Sequence, residues 1–179
     1  YRAGRRAVHI SGRTRGEQIA SVSAAAVAWL RQTQPEVARL PSAIVAYSLG
    51  AEGALAMMPR PSPTWNVRGA VFYYPSIPRA MPPAIPLPVL VLSGDRDDVI
   101  PPARTEAFVH AWAAAGSSVE WQHYAGAAHG FDVESLRDGR TVRPLRWFGP
   151  SATLRYDKRA ADDAEQRMLA FLTSILGPS

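Results

Sequence analysis

The sequence predicts one α/β domain with a mostly parallel sheet and helices on both of its faces. Two observations favour this class: short apolar segments alternate with amphipathic segments along most of the chain, and the apolar segments are continuous. Continuous apolar strands are typical of parallel sheets, which are buried on both faces, and intervening helices supply the crossovers. A chain of 179 residues is long enough for one domain with its own core.

The first half of the chain reads as helix, strand, helix and strand. A helix is predicted over residues 17–33, where apolar residues recur at helical spacing. These residues are Ile19, Val22, Ala26, Trp29 and Leu30. Ser42–Tyr47 predicts a buried strand, residues 51–58 a helix, and residues 69–74 an apolar strand that ends at a proline.

The second half continues the alternation. Six prolines in residues 75–88 exclude regular structure and predict a crossing within the domain. Residues 89–92 predict a buried strand, residues 102–115 a helix, and residues 118–124 an edge strand, half exposed because apolar and polar residues alternate. The last predicted helix is Lys158–Leu176, which ends before a Gly-Pro pair.

The domain organisation expected from these elements is simple. Residues 1–16 are a basic, irregular leader, and residues 17–179 form the single domain. Residues 132–155 show no clear period and predict a long loop. Its arginines and aromatic residues allow two interpretations, a lid over a pocket or a solvated loop. Those residues are Arg137, Arg140, Arg143, Arg146, Trp147 and Phe148.

Composition narrows the classes of partner. The formal net charge is +5 and comes almost wholly from scattered arginines, with no basic stripe interleaved with aromatic residues, so we expect no nucleic-acid partner. The apolar runs are too short to cross a membrane, and we expect a soluble protein, in the cytoplasm unless a missing upstream segment directs secretion. The absence of cysteine excludes a thiolate metal site, and the four histidines are too dispersed to predict a histidine metal cluster. The oligomeric state stays open.

The strongest functional signal is the order of three residue types. Ser48 follows the Ser42–Tyr47 strand within Ala46-Tyr47-Ser48-Leu49-Gly50, a small-x-Ser-x-Gly turn from strand to helix. Carboxylates follow the third strand, and His129 follows the fourth. A serine hydroxyl needs a base and a group that orients that base, and the ends of parallel strands bring such residues together.

Each candidate has a plainer interpretation. The serine pattern alone is common in turns, and the neighbours Ala46 and Gly50 are expected to be small so that strand and helix approach closely. Asp95, Asp97 and Asp98 compete for the acid, and at least one is a turn carboxylate. Among the histidines, His129 lies in a loop between small residues, as a general base requires, whereas the others fit a surface or packed role.

The backbone N–H of Leu49 is the expected oxyanion donor, because it follows the serine at a helix start. A second donor normally comes from a loop after an earlier strand, and residues 1–16 contain no such strand.

Three segments together resemble the dienelactone hydrolase family of α/β-hydrolases. They are Ala46-Tyr47-Ser48-Leu49-Gly50, then Gly94-Asp95-Arg96-Asp97-Asp98-Val99-Ile100-Pro101, similar to G-x-x-D-x-x-V-P, and Tyr124-Ala125-Gly126-Ala127-Ala128-His129-Gly130-Phe131, similar to Y-x-G-x-x-H-x-F. The resemblance covers residue 17 to the C-terminus, includes Tyr156 and the alanine-rich last helix, and selects Asp97 as the acid. It implies hydrolysis of a small ester or lactone through an acyl-enzyme, without metal or cofactor, and Tyr47, Arg143 and Trp147 are the expected substrate contacts.

The chain departs from the family pattern in three ways. Serine replaces the cysteine of the best-known members, the loop after His129 is longer, and the family's N-terminal strands have no counterpart. The sequence therefore predicts an N-terminally truncated α/β-hydrolase fold. Two alternatives follow: a catalytically silent fragment or binding protein that retains the fold, and a peptidase or thioesterase that uses the same three residues.

Overall fold

The computed structural model describes residues 15–36, 39–58, 66–142 and 151–177. In chain order its elements are α1 (Arg15–Thr33), β1 (Ser42–Tyr47), α2 (Gly50–Met57), β2 (Val67–Tyr73), β3 (Val89–Gly94), α3 (Pro102–Ala114), β4 (Val119–Tyr124), a short 3-10 helix (Glu134–Leu136), β5 (Arg140–Val142), β6 (Ala152–Leu154) and α4 (Lys158–Leu176).

Within the described residues the main sheet has four strands in the order β1-β2-β3-β4, and each neighbouring pair is parallel. One row of paired residues crosses it from Ala46 through Phe72 and Val91 to Trp121. Because all strands are parallel, their carboxyl ends lie along one edge of the sheet. The loops after β1, β3 and β4 therefore meet at this edge.

Helices cover both faces of the sheet. On one face α2 and α3 pack on the strands, and Phe108 and Trp112 are almost completely buried with Phe72 and Val91. On the other face α4 contributes Phe171 and two alanines to a second apolar cluster. Fully burying one large apolar side chain stabilises the fold by about 1.5–3 kcal/mol, so these two clusters hold the helices to the sheet. The predicted α/β class with helices on both faces is confirmed.

Most predicted elements agree with the structure. The helix α4 has the predicted bounds, and β3 is buried along its whole length, extending two residues beyond the prediction. Residues 75–88 contain no helix or strand, as their prolines require. Among the described strands β4 pairs only with β3, and it is partly exposed, so the predicted edge strand is also confirmed.

The burial predicted for β1 is wrong. Only Ala46 of this strand is buried, while Val45 and Tyr47 are 36% and 44% exposed. The reason is that β1 is the other edge strand, with no partner on its outer side among the described residues. A continuous apolar run cannot distinguish an edge position from a central one.

Several apolar residues of α1 are exposed in the structure. Its predicted apolar residues Val22 and Trp29 are 72% and 65% exposed. The helix instead packs on α2, with Gly16 and Ala20 buried. A Cβ on Gly53 would lie 2.3 Å from Cγ2 of Ile19, so the glycine in α2 sets the distance between the two helices.

The segment 132–155 contains more regular structure than predicted. It includes the 3-10 helix and an antiparallel pair, β5 and β6. Strands of three residues are too short to show a period of two, so tertiary contacts decide them. The rest of the predicted lid, residues 143–150, and most of the predicted leader lie outside the described residues. None of the described helices has the length and apolar character needed to cross a membrane.

Candidate active site

Ser48 lies at a strained turn between β1 and α2. Its φ of 47° is in the left-handed region, which a residue with a side chain rarely adopts. Its N–H donates to Tyr73 O at 3.0 Å, and its carbonyl accepts from the N–H groups of Ala51 at 3.1 Å and Ser76 at 2.9 Å. These bonds fix the backbone on both sides of the residue, so the strained turn is held in place.

The size requirement at Gly50 is looser than the motif suggests. A Cβ on Gly50 would lie 3.9 Å from Cβ of Ala46, an ordinary van der Waals distance. A methyl group at position 50 is therefore compatible with the turn, so this position needs a small residue but does not need glycine specifically.

Asp97 is the acidic residue of its loop that contacts an imidazole. Its carboxylate is buried, Oδ1 accepts from the N–H groups of Val99 at 2.9 Å and Ile100 at 2.7 Å, and Oδ2 lies 2.8 Å from His129 Nδ1. The carboxylate of Asp95 accepts from the N–H of Gly126 at 2.6 Å and so joins two loops. The structure thus separates an acid that faces the histidine from a turn carboxylate.

His129 connects the acid to the serine. The His129 side chain is 9% exposed, and its Nε2 lies 2.9 Å from Ser48 Oγ. A carboxylate only accepts hydrogen bonds, so the neutral ring carries its proton on Nδ1 and presents the lone pair of Nε2 to the serine hydroxyl. The three residues predicted from chain order are therefore brought into one hydrogen-bonded chain.

The His129 loop is also tied to the hairpin that follows it. His129 forms an isolated parallel bridge with Leu154, and its carbonyl accepts from Arg155 N–H at 3.3 Å. The carbonyl of Phe131 accepts from Asp157 N–H at 2.9 Å. Residues 154–157 thus anchor the backbone of the loop that carries His129, a role that the sequence did not reveal.

Leu49 has the geometry expected of an anion donor. It directly precedes α2, and its N–H makes no hydrogen bond within the described residues. The N-terminus of a helix carries a partial positive charge, which favours a negative charge placed beside it. Of the predicted donors, this N–H is the one that the described residues contain.

A cluster of tyrosine rings lies beside the imidazole and contacts it through Tyr74. Tyr47 stacks on Tyr73 with ring centroids 4.7 Å apart, and Tyr74 lies 4.4 Å from the His129 ring. Burial, and to a smaller extent the charge of Asp132, raise the pKa of Tyr47. Tyr47, a predicted substrate contact, is thus beside the site and partly exposed, whereas Arg143 and Trp147 lie outside the described residues.

Sequence reasoning missed Tyr74 and Gly94. Tyr74 has φ 36°, and the available signal was its position at the end of β2, the strand whose carboxyl end adjoins that of β1. Gly94 ends β3, and a Cβ there would lie 2.1 Å from Ala127 O. The G-x-x-D pattern contained this glycine, but its requirement depends on a loop about thirty residues away in the chain.

A separate cleft of about 440 Å³ lies beside the same loops. It is lined by Arg96, Asp98, Gly126, Ala128, Thr153 and Arg155. Neither Ser48 nor His129 lines it, so it is separate from the Ser48 hydroxyl. Among the described residues, no three histidine, aspartate or glutamate side chains form a group that could hold a metal ion.

A parallel sheet covered on both faces, with a serine at a left-handed strand-to-helix turn and an aspartate-histidine pair on later loops, defines an α/β-hydrolase fold. The model of the dienelactone hydrolase family matches residues 2–176. The chain belongs to the dienelactone hydrolase family. A comparison with curated proteins gave no match.

Solved structures share the fold at low identity. A candidate dienelactone hydrolase from Klebsiella pneumoniae subsp. pneumoniae MGH 78578 is 22% identical, with a TM-score of 0.63 over 88% of this chain and 61% of that one. Esterase PE8 is 20% identical, with a TM-score of 0.59 over 90% of this chain and 64% of that one. Thermogutta terrifontis esterase 2, in the form phosphorylated by paraoxon, is 18% identical, with a TM-score of 0.62 over 95% and 68%. The chain thus spans 61% and 64% of the length of the first two relatives.

Proposed function

We propose that this chain is a serine hydrolase of small ester or lactone substrates, with Ser48 as nucleophile, His129 as general base and Asp97 as the orienting acid. The observation that carries the proposal is the chain of two hydrogen bonds, 2.8 Å from Asp97 to His129 and 2.9 Å from His129 to Ser48. Membership of the dienelactone hydrolase family and the fold shared with two esterases support the same reaction class.

In the proposed acylation step, Ser48 Oγ attacks the carbonyl carbon of the ester while its proton passes to His129 Nε2. The carbonyl electron pair moves onto oxygen, and the N–H of Leu49 donates to this oxyanion. When the tetrahedral intermediate collapses, the bond to the alcohol oxygen breaks and the proton on Nε2 passes to that oxygen. The products of this step are a Ser48 ester and a free alcohol, or the ring-opened hydroxyl end of a lactone.

In the proposed deacylation step, water takes the place of the alcohol. The water oxygen attacks the acyl carbon while His129 Nε2 accepts a proton from the water. The same proton then passes to Ser48 Oγ as the carboxylic acid product is released. Asp97 keeps the Nδ1 proton in place throughout, because its Oδ1 is already held by two backbone N–H groups. No metal or organic cofactor takes part in this cycle.

Tyr47 is the substrate contact that the geometry best supports. Its ring is 44% exposed and adjoins the serine in sequence, and its neighbour Tyr73 holds it by stacking. A flat, partly exposed ring is suited to pack against the acyl or alcohol group of a small ester. The partner is therefore expected to be a small molecule.

The test combines covalent labelling and turnover. We expect a fluorophosphonate to label the folded chain at Ser48, and p-nitrophenyl acetate to be hydrolysed faster by the wild-type chain than by Ser48→Ala. Ser118→Ala, which removes an exposed hydroxyl that makes no side-chain hydrogen bond within the described residues, is the matched control and should label normally. A folded wild-type chain that is not labelled would favour the catalytically silent alternative.

The same assay separates the remaining acyl substrates. If the fluorophosphonate labels the chain, turnover of thioester and peptide substrates is compared with turnover of esters. This comparison would reveal a thioesterase or peptidase, because all three reactions use the same nucleophile and base. A rate constant highest for esters and lactones is the expected result.

A further inference from the structure

Tyr74 occupies an unfavourable backbone conformation beside the candidate base. Its φ of 36° is in the left-handed region, where a bulky aromatic residue is an outlier. The conformation is held by its N–H, which donates to Leu92 O at 2.7 Å. Strained residues of this kind persist where the surrounding structure maintains them, and they concentrate at functional sites.

The strained conformation directs the ring of Tyr74 onto the imidazole of His129. The ring centroids are 4.4 Å apart with an interplanar angle of 54°, and Tyr74 is only 4% exposed. The Tyr74 ring also packs edge-on against Phe131, with centroids 5.5 Å apart. The imidazole is therefore in contact with the buried Tyr74 ring, in addition to the hydrogen-bond partners of its two nitrogens.

A single short hydrogen bond holds the Tyr74 ring in this position. The Tyr74 hydroxyl donates to Asp132 Oδ1 at 2.6 Å, and Asp132 lies three residues after His129 in the same loop. The pKa of Tyr74 lies far above its usual value. Burial is the largest cause of this rise, and the hydrogen bond to Asp132 is a further cause. The Tyr74 hydroxyl therefore stays protonated, and remains a hydrogen-bond donor, over the whole pH range in which the protein would work.

We propose that Tyr74 and Asp132 are positioning residues for His129: the carboxylate of Asp132 holds the Tyr74 hydroxyl, and the held ring sets the tilt of the imidazole between Asp97 and Ser48. The proposal rests on the function proposed above, in which His129 is the base. The bond from Asp97 fixes one ring nitrogen only, and a ring held at one point can still tilt. A tilt of about 10–20° is enough to spoil the alignment of Nε2 with the serine hydroxyl.

The test measures the second-order rate constant for phosphonylation of Ser48 by a fluorophosphonate. We expect Tyr74→Phe, which keeps the ring and removes the hydroxyl, to react about three- to tenfold more slowly. Asp132→Ala should show a similar loss, and Asp132→Asn should recover most of the rate because its amide oxygen still accepts the hydrogen bond. The double variant Tyr74→Phe/Asp132→Ala should be no slower than the slower single variant, since both remove one interaction.

The matched control is Tyr124→Phe. Tyr124 is also a buried tyrosine whose hydroxyl contacts a carboxylate, that of Asp163 at 3.0 Å, but its partner lies on α4. We expect this variant to lose comparable stability without losing labelling rate. A wild-type rate in folded Tyr74→Phe, losses that add in the double variant, or an equal loss in Tyr124→Phe would overturn the proposal.

A second measurement does not require reactivity. NMR would follow the Nδ1 proton of His129, because the exchange of this proton with solvent reports how firmly the imidazole is held. We expect exchange to be at least about threefold faster in Tyr74→Phe and in Asp132→Ala than in the wild type. If the wild-type chain is not labelled, the proposed function fails while this measurement still decides the positioning role, and unchanged exchange in both variants would overturn it.

Discussion

Gly94 lies in direct contact with the backbone of Ala127, and this contact joins the loop that carries Asp97 to the loop that carries His129. A Cβ on Gly94 would be 2.1 Å from Ala127 O and 2.6 Å from its carbonyl carbon. The same carbonyl oxygen accepts from Arg96 N–H at 3.0 Å. Since Asp97 and His129 each lie within three residues of this contact, the distance between the two loops sets the distance between carboxylate and imidazole.

Gly94→Ala is therefore expected to separate the two loops. The added methyl group has no space against a backbone carbonyl, and overpacking of this kind costs about 1–3 kcal/mol of unfolding free energy. We expect a lower denaturation midpoint and slower fluorophosphonate labelling together. Gly50→Ala is the matched control for stability, because its Cβ has an ordinary contact at 3.9 Å, and its midpoint should stay close to that of the wild type. Equal midpoints for the two variants would contradict the role given to Gly94.

Asp97→Asn is expected to reverse the tautomer of His129. The N–H groups of Val99 and Ile100 require an acceptor at Oδ1, so the amide oxygen should face them and the amide NH₂ should face the imidazole. Nδ1 must then accept, Nε2 carries the proton, and the serine hydroxyl loses its base. We expect labelling of Ser48 to slow by about a thousandfold or more.

Asp95→Asn provides the comparison for this loop. The amide oxygen of the introduced asparagine can still accept a hydrogen bond from Gly126 N–H. The variant therefore keeps a hydrogen bond between the two loops where the wild type has one of 2.6 Å. The labelling rate should change far less than in Asp97→Asn. If the two variants lost reactivity equally, the assignment of the acid to Asp97 would be wrong.

The residues that could be predicted from sequence are those whose requirement is local. Ser48 was indicated by a strand, a small-residue turn and a helix that follow one another directly in the chain, and α4 by its period and its terminal glycine. His129 and Asp97 were indicated by their places after strands, and family resemblance selected Asp97 among three carboxylates.

The residues that escaped prediction depend on contacts across the fold. The positive φ of Tyr74 and its bond to Asp132 join positions 58 residues apart. The exposure of β1 depends on which strand pairs with its outer edge, and nothing within Ser42–Tyr47 records that. Both facts are properties of topology, which a pattern within one segment does not contain.

Unfolding at alkaline pH is expected to follow from the tyrosines. Burial raises the pKa of Tyr47, Tyr73, Tyr74 and Tyr124 above the unfolded value of 10.0. Below about pH 10 these hydroxyls are protonated in both states, so their contribution to stability is fully present; above it, ionisation favours the unfolded chain. The chain has no cysteine and one lysine, so few side chains other than tyrosine titrate near pH 10.

The measurement is a titration followed by tyrosinate absorbance and by circular dichroism. We expect tyrosinate absorbance to lag behind that of the urea-unfolded chain above about pH 10 and to rise together with loss of structure. Tyr74→Phe should reduce the lag. Complete ionisation of Tyr73, Tyr74 and Tyr124 in a chain that remains folded would contradict the buried positions of these three residues.

Asp157 is expected to stabilise α4 without affecting the site chemistry. It is the N-cap of that helix, and its side chain accepts from Ala160 N–H at 3.1 Å. Removal of such a cap costs about 1 kcal/mol, which corresponds to a fall in Tm of about 2–4 °C for a domain of this size. Asp157→Ala should show this fall and retain the bond from its own N–H to Phe131 O, which leaves the His129 loop anchored.

The matched control for Asp157→Ala is Asp162→Ala on the same helix. Asp162 pairs with Lys158 at 2.7 Å, but both side chains are more than half exposed, and such a pair contributes only about 0.2–0.5 kcal/mol. Thermal unfolding should therefore rank the variants wild type, Asp162→Ala and Asp157→Ala in order of falling Tm, with equal rates of fluorophosphonate labelling well below the unfolding transition. A Tm for Asp162→Ala as low as that of Asp157→Ala would show that charge on this helix, rather than the cap, carries the effect.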